Sequence, residues 1–223
     1  MEITKEKLAS MIDHTLLKPE AREEDIKKLC CEAIEYNFHS VCVNPSYVDL
    51  ANQILNDTQV KICTVIGFPL GAATANTKVQ EAGEAIVQGA GELDMVINIG
   101  RLKSGNYDYV YNDIKRVVEE SKNRKADVII KVILETCLLN SENKKRACDI
   151  AVKANADFVK TSTGFSTSGA KKEDVRLMRD AVGPDIGVKA SGGIRDLKTA
   201  MEMIEAGANR IGTSSGIKLI NEL

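Results

Sequence analysis

Apolar residues recur along this chain in two alternating patterns, short β-rich runs and longer stretches of helical period. The runs fall near 11–15, 39–44, 61–66, 92–98, 127–134, 156–161, 185–190 and 209–213, and amphipathic segments separate most of them. Within 21–37, Ile26, Leu29, Cys30, Ala33 and Ile34 share one face with Glu and Lys opposite, the spacing of a helix that buries one stripe. Segments 107–123, 141–155 and 171–182 read the same way. Gly89, Gly183 and Gly207 stand just past helical patterns, where a left-handed cap ends a helix, and Ser141 is a suitable N-cap. Strands alternating with helices build right-handed βαβ units on a parallel sheet. Eight such units in 223 residues predict an α/β chain closed into a (β/α)8 TIM barrel, with a short N-terminal helix before the first strand. No linker or composition break interrupts residues 1–223, so one barrel domain is expected. The alternative, an open doubly wound sheet, would want a GxGxxG turn after the first strand, and the chain has none.

Side chains alternate inward and outward along each strand, so the apolar phase says which residues enter the lumen. Placing Ile186 and Val188 against the helices turns Gly187 and Lys189 inward. Phe158 shares the parity of Lys160. Lys131, Ile133 and Glu135 oppose the outward set Ile130, Val132 and Leu134, while Glu92, Asp94 and Val96 oppose Leu93, Met95 and Ile97. An acid and three lysines then project from four adjacent strands into one lumen. Soluble proteins rarely bury a lysine unless it is paired or chemically employed.

A lysine amine is nucleophilic only when neutral, and holding it so near pH 7 costs roughly 4–5 kcal/mol against the ammonium form. A second cation nearby and a dry lumen supply that cost. Lys160 and Lys189, near the ends of neighbouring strands, suit the arrangement: one attacks a carbonyl to form an imine and the other, charged, lowers its partner's pKa. Phase alone does not say which is which. Lys131 lies deeper and is expected to pair with Asp94 or Glu135. Ser191-Gly192-Gly193 follows the seventh strand, and Gly212-Thr213-Ser214-Ser215-Gly216 follows the eighth and opens a short final helix. Loops at those positions of a barrel commonly cradle a phosphate on free backbone N–H groups, and Gly164 could extend the cradle.

Composition narrows the field further. Net charge is −2, with lysines and acids interspersed, so no polyanionic partner such as nucleic acid is favoured. Met1 to Lys7 is too charged for a secretory signal, and no apolar run approaches the ~18 residues of a membrane helix. Six cysteines without a CxxC pair read as reduced core thiols of a cytoplasmic protein. The two histidines, His14 and His39, show no metal-ligand spacing, which argues against a metal-dependent aldolase or hydrolase. A structural role is expected for His14 and a strand-edge position for His39.

Seven stretches together resemble the deoxyribose-phosphate aldolase family, the class I, Schiff-base aldolases. They are Ile12-Asp13-His14-Thr15-Leu16-Leu17-Lys18-Pro19, Val41-Cys42-Val43-Asn44-Pro45, Val65-Ile66-Gly67-Phe68-Pro69-Leu70-Gly71, Glu92-Leu93-Asp94-Met95-Val96, Lys131-Val132-Ile133-Leu134-Glu135-Thr136, Phe158-Val159-Lys160-Thr161-Ser162-Thr163-Gly164 and Val188-Lys189-Ala190-Ser191-Gly192-Gly193. Their order spans nearly the whole chain, and Lys-Thr-Ser-Thr-Gly is the most specific among them. The resemblance implies a cofactor-free lyase that interconverts 2-deoxy-D-ribose 5-phosphate with D-glyceraldehyde 3-phosphate and acetaldehyde. It assigns the imine to Lys160, the lowering of that amine's pKa to Lys189, and proton transfer to Asp94 with Lys189 and water. Cys42 matches a position lining the substrate pocket, and Gly193, Ser214 and Ser215 match the phosphate loops. Lys131, Gly164 and Gly192 complete the expected substrate-binding set. Two departures stand out. The last tyrosine is Tyr111, whereas some members carry one on a C-terminal tail that assists proton transfer; here Asp94, Lys189 and water would have to suffice. Phe165 replaces a lysine that helps hold phosphate in some members, so weaker phosphate binding is expected. The expected partners are a small phosphosugar substrate and a second copy of the chain in a homodimer. Lysines and phosphate loops alone leave open a class I aldolase for another phosphosugar, or a phosphosugar-binding barrel without turnover.

Overall fold

In the computed structural model, which describes residues 3–223, every predicted apolar run forms a strand. Met1 and Glu2, the start of the charged N-terminal stretch, lie outside the described residues. The strands are β1 (Ile12–Leu16), β2 (Ser40–Val43), β3 (Lys61–Ile66), β4 (Glu92–Val96), β5 (Ile129–Ile133), β6 (Phe158–Lys160), β7 (Gly187–Ser191) and β8 (Arg210–Thr213). They pair in sequence order, all parallel, and β8 returns to β1 through Ile12–Ile211 and Asp13–Gly212 to close the barrel. Around it run α1 (Lys5–Ala9), α2 (Glu23–Glu35), α3 (Val48–Leu55), α4 (Ala75–Val87), α5 (Ile99–Lys103), α6 (Tyr107–Arg124), α7 (Ser141–Lys153), α8 (Lys172–Val182), α9 (Leu197–Glu205) and α10 (Gly216–Asn221). None of these helices is long and apolar enough to cross a membrane.

The main core lies between strands and helices, and it takes the parity expected: Leu93, Met95, Ile97, Ile130, Val132 and Val188 all belong to it. A second, smaller apolar cluster of Leu17, Cys42, Cys63 and Val65, with Phe68 against it, fills part of the lumen. Gly89, Gly183 and Gly207 adopt positive φ at helix ends, as their positions required. The N-cap of α7 is Asn140, not Ser141: its side chain accepts from the Asn143 N–H at 2.8 Å, and Ser141 becomes the first helical residue. Asparagine and serine cap about equally well, and spacing does not separate neighbours.

One loop is fixed with unusual care. Between β3 and α4, Gly71 has φ +67°, and a Cβ there would run into the Ile97 carbonyl. The Gly67 N–H donates to Glu81 at 2.7 Å. Beneath it the buried Lys78 ammonium pairs with Asp113 at 2.5 Å and donates to the Val96 carbonyl at 2.9 Å, tying α4, α6 and the end of β4 together. The loop is thereby held so that Phe68 meets Phe165 edge-to-face at 5.3 Å over the barrel mouth.

Candidate active site

Four strands deliver charge to one point. Lys131 stands beside Asp94 in the β4–β5 register, and Lys160 beside Lys189 in the β6–β7 register. All four side chains are almost fully buried, Lys160 being the most exposed at 2%. Asp94 is the hub. Its Oδ1 accepts from Lys131 at 2.8 Å, and its Oδ2 accepts from Lys160 and from Lys189, each at 2.7 Å. Two nitrogens that share one oxygen in this way face the same side of the sheet as near neighbours. Lys189 also pairs with Asp13 at 2.5 Å, and Lys131 with Glu92 at 2.6 Å. Arg210 closes the cluster from below, 2.8 Å from Asp13 and 3.1 Å from Glu92. His39 reaches Glu92 at 2.8 Å.

Above Lys160 opens a cleft of about 360 Å³ lined by Gly164, Gly192, Gly193 and Ser214, with Lys18 and Arg195 also in its walls. Gly164, Gly192 and Gly193 have φ of +87°, +86° and +78°, a backbone that other residues rarely adopt. The 164–170 loop docks on Gly192, whose carbonyl accepts from Ala170 at 3.0 Å. The Lys160 amine thus sits at the base of a cleft rimmed by glycines of positive φ.

Residues 7–221 match the profile of the DeoC/LacD family aldolases. The chain belongs to that family. A deoxyribose-phosphate aldolase of Clostridium kluyveri is 62% identical over 218 residues, covering 98% of this chain and 99% of its own length. One from Caldanaerobacter subterraneus is 61% identical over 215 residues, 96% of this chain and 93% of its own. Among solved structures, the tetrameric deoxyribose phosphate aldolase of Aeropyrum pernix superposes with a TM-score of 0.91 at 39% identity, covering 98% of this chain and 91% of that one.

In this member of the DeoC/LacD family the electrostatics of the lumen follow from the pairing. Burial alone would raise the Asp94 carboxyl, but the ammonium groups of Lys131, Lys160 and Lys189 override it and hold it well below the usual carboxylate range. Burial likewise disfavours the charged form of Lys189, yet Asp13 and Asp94 overcome this and raise its pKa, so Lys189 stays an ammonium. Lys131 is raised in the same way by Asp94 and Glu92. Four cations, Lys131, Lys160, Lys189 and Arg210, meet three carboxylates, Asp13, Glu92 and Asp94. The surplus positive charge has one amine with a single carboxylate contact, Lys160.

Glu92 allows a pH prediction. Burial pushes its carboxyl up, while Lys131, the His39 hydrogen bond and Arg210 draw it down to about 2 from an ordinary 4.5. A depressed carboxylate contributes stability that is present above its unfolded pKa, near 4.3, and is lost as pH falls through the folded value. The contribution is on the order of 3 kcal/mol. Urea unfolding between pH 5 and 2 should therefore show a steep loss in the wild type and a shallower one in Glu92→Gln, which starts less stable at pH 7. Equal slopes would remove Glu92 from the acid transition.

The cleft gathers Lys160, Gly164, Gly192, Gly193 and Ser214 of the expected set. Ser215 faces a neighbouring cavity, and its N–H is taken by Thr213 Oγ1 at 2.9 Å. Lys131 and Cys42 are buried below the cleft floor. Glu135 does not pair with Lys131. It turns left-handed at φ +57° just after β5, breaking the strand alternation, and accepts from the Thr163 hydroxyl and N–H instead. Cys31 is exposed and Cys137 only partly buried, so not all six thiols are core residues. His14 faces the helices and bonds Glu32 at 2.7 Å, away from the lumen. Asp13, Arg210, Cys63, Lys18 and Arg195 were passed over. The first three carried a usable signal, since strand parity opposite Ile12, Ile62 and Ile211 turns each of them inward. Lys18 and Arg195 lie in loops, where no period applies.

Proposed function

We propose that this chain is a class I aldolase that cleaves 2-deoxy-D-ribose 5-phosphate to D-glyceraldehyde 3-phosphate and acetaldehyde, and runs the reverse addition. The observation that carries the reading is the sharing of Asp94 Oδ2 by Lys160 and Lys189 at the base of a glycine-rimmed cleft. Names of relatives about 60% identical over almost the whole chain support the substrate. Lys160 attacks the C1 aldehyde, and loss of water leaves a protonated imine. With a proton removed from the C3 hydroxyl, the C2–C3 bond breaks; its electron pair flows into the iminium, leaving an enamine and releasing the three-carbon aldehyde. Protonation at C2 and hydrolysis then free acetaldehyde and the amine. Lys189, kept cationic by Asp13 and Asp94, is the charged neighbour of Lys160, the least paired member of the cluster. Asp94 and Lys189 exchange the proton through water. Gly164, Gly192, Gly193 and Ser214 hold the phosphate, while Cys42 and Lys131 shape and charge the floor.

The direct test is donor choice with glyceraldehyde 3-phosphate as acceptor. Acetaldehyde should be accepted well ahead of acetone, and dihydroxyacetone phosphate not at all; preference for the last would mean a different phosphosugar aldolase. Lys189→Leu should lower neutral-pH turnover and move the rising limb of its pH profile upward, because a neighbouring cation is gone. An unchanged profile would take Lys189 out of that role. We further expect one catalytic domain spanning residues 1–223, cytoplasmic, working as a homodimer, which light scattering after size exclusion would distinguish from a tetramer.

A further inference from the structure

We infer that Cys42 and Cys63 form a redox-active dithiol in the lumen wall, a modification site whose disulfide disables the lysine cluster. The two residues are Cα partners in the parallel β2–β3 register. Neighbouring strands lie about 4.7–4.9 Å apart, inside the 4.4–6.8 Å window over which disulfides form. Both side chains enter the lumen and are fully buried, packed with Leu17, Val65 and Phe68. Their sulfurs and an Asp94 oxygen all lie within 4.8 Å of one another.

The pair is chemically asymmetric, as a thiol attacker and its resolving partner must be. The adjoining Cys63 thiol, and after it the ammonium groups of Lys189 and Lys160, favour the Cys42 thiolate over opposing burial. Cys63 is held as a thiol by burial and by its neighbours Cys42 and Asp94. A divalent cation is the other occupant such a group could take. It would have to displace three ammonium groups already seated on Asp94, whereas those cations assist a thiolate. Leu17 belongs both to the cleft wall and to the apolar cluster around the sulfurs, so the dithiol lies one side chain behind a cleft open to solutes.

With hydrogen peroxide as oxidant, the Cys42 thiolate attacks one peroxide oxygen. The O–O bond breaks, giving a sulfenic acid and a hydroxide that takes up a proton. Cys63 then attacks the sulfenic sulfur, the S–S bond forms, and water leaves with the thiol proton. Two thiols and one peroxide become one disulfide and two waters. In the reduced chain Cys63 donates to Asp94 Oδ1 at 3.2 Å and lies 3.4 Å from the Lys131 ammonium. Bridging turns its sulfur toward Cys42 and withdraws one contact from the Asp94 carboxylate, on which the three lysines depend, and one from Lys131.

The test uses the full chain carrying Cys31→Ser and Cys137→Ser, so that no exposed thiol contributes. After hydrogen peroxide treatment, blocking of remaining thiols and digestion, mass spectrometry should find a peptide cross-link joining Cys42 to Cys63, two hydrogens lighter than the reduced pair. This readout needs no turnover and so stands apart from the identity of the substrate. Turnover should fall by about tenfold or more and return with dithiothreitol. In Cys63→Ala on the same background the cross-link is absent and Cys42 is left at the sulfenic acid, which dimedone labels. Both thiols still alkylatable after peroxide, or a bridge elsewhere, would overturn the inference.

Discussion

Lys160→Leu should abolish turnover and leave the barrel standing. Leucine fills most of the space but offers no nitrogen, so no imine forms, and kcat should drop by roughly 10⁴–10⁶, the scale seen when a covalent nucleophile is removed. The fold survives for a reason visible in the pairing. Breaking a buried ion pair costs about 3–5 kcal/mol when it strands a charge. Here Asp94 retains Lys131 on Oδ1 and Lys189 on Oδ2, so no charge is stranded. The cluster also sheds its surplus cation. Unfolding free energy should change by no more than about 1–2 kcal/mol, a few degrees in Tm. Wild-type turnover in this variant would place the reactive amine elsewhere, and an unfolded variant would refute the charge balance.

Asp94→Asn should do the reverse, harming stability and rate together. Lys131 keeps Glu92 and Lys189 keeps Asp13, but Lys160, almost fully buried, loses its one carboxylate. The expected cost is about 3–5 kcal/mol, or roughly 10 °C in Tm, with kcat lowered about 10²–10⁴-fold by loss of the group that positions both amines. The decisive comparison is the double variant. Adding Lys160→Leu to Asp94→Asn removes the stranded cation, so a substitution nearly neutral in the wild type becomes stabilising in that background. Strictly additive unfolding energies would mean the two residues do not interact as described.

Much of this arrangement was legible because strand parity is a two-fold choice. Once Leu93, Met95, Ile130, Val132 and Val188 were assigned to the helix layer, Asp94, Lys131 and Lys189 had nowhere to point but the lumen. The same logic reaches Asp13, Cys63 and Arg210, and weighing every charged or thiol residue in a strand would have found them. What parity cannot reach is the chain beyond a strand's end. Glu135 continues the alternation of β5 on paper, yet its positive φ swings the carboxylate to Thr163. Pairing by charge count is also beyond a one-dimensional pattern. That Lys189 and Lys131 each hold two carboxylates and Lys160 one depends on where side chains of different lengths meet across a closed barrel. The Phe68–Phe165 contact is of the same kind, joining loops far apart in sequence.

Reduction with sodium borohydride in the presence of acetaldehyde, followed by peptide mapping, tests the reactive amine most directly. A two-carbon adduct should be fixed on the Lys160 peptide and be missing from Lys160→Leu. An adduct on Lys189 or Lys131, or none in an actively turning-over protein, would contradict the account.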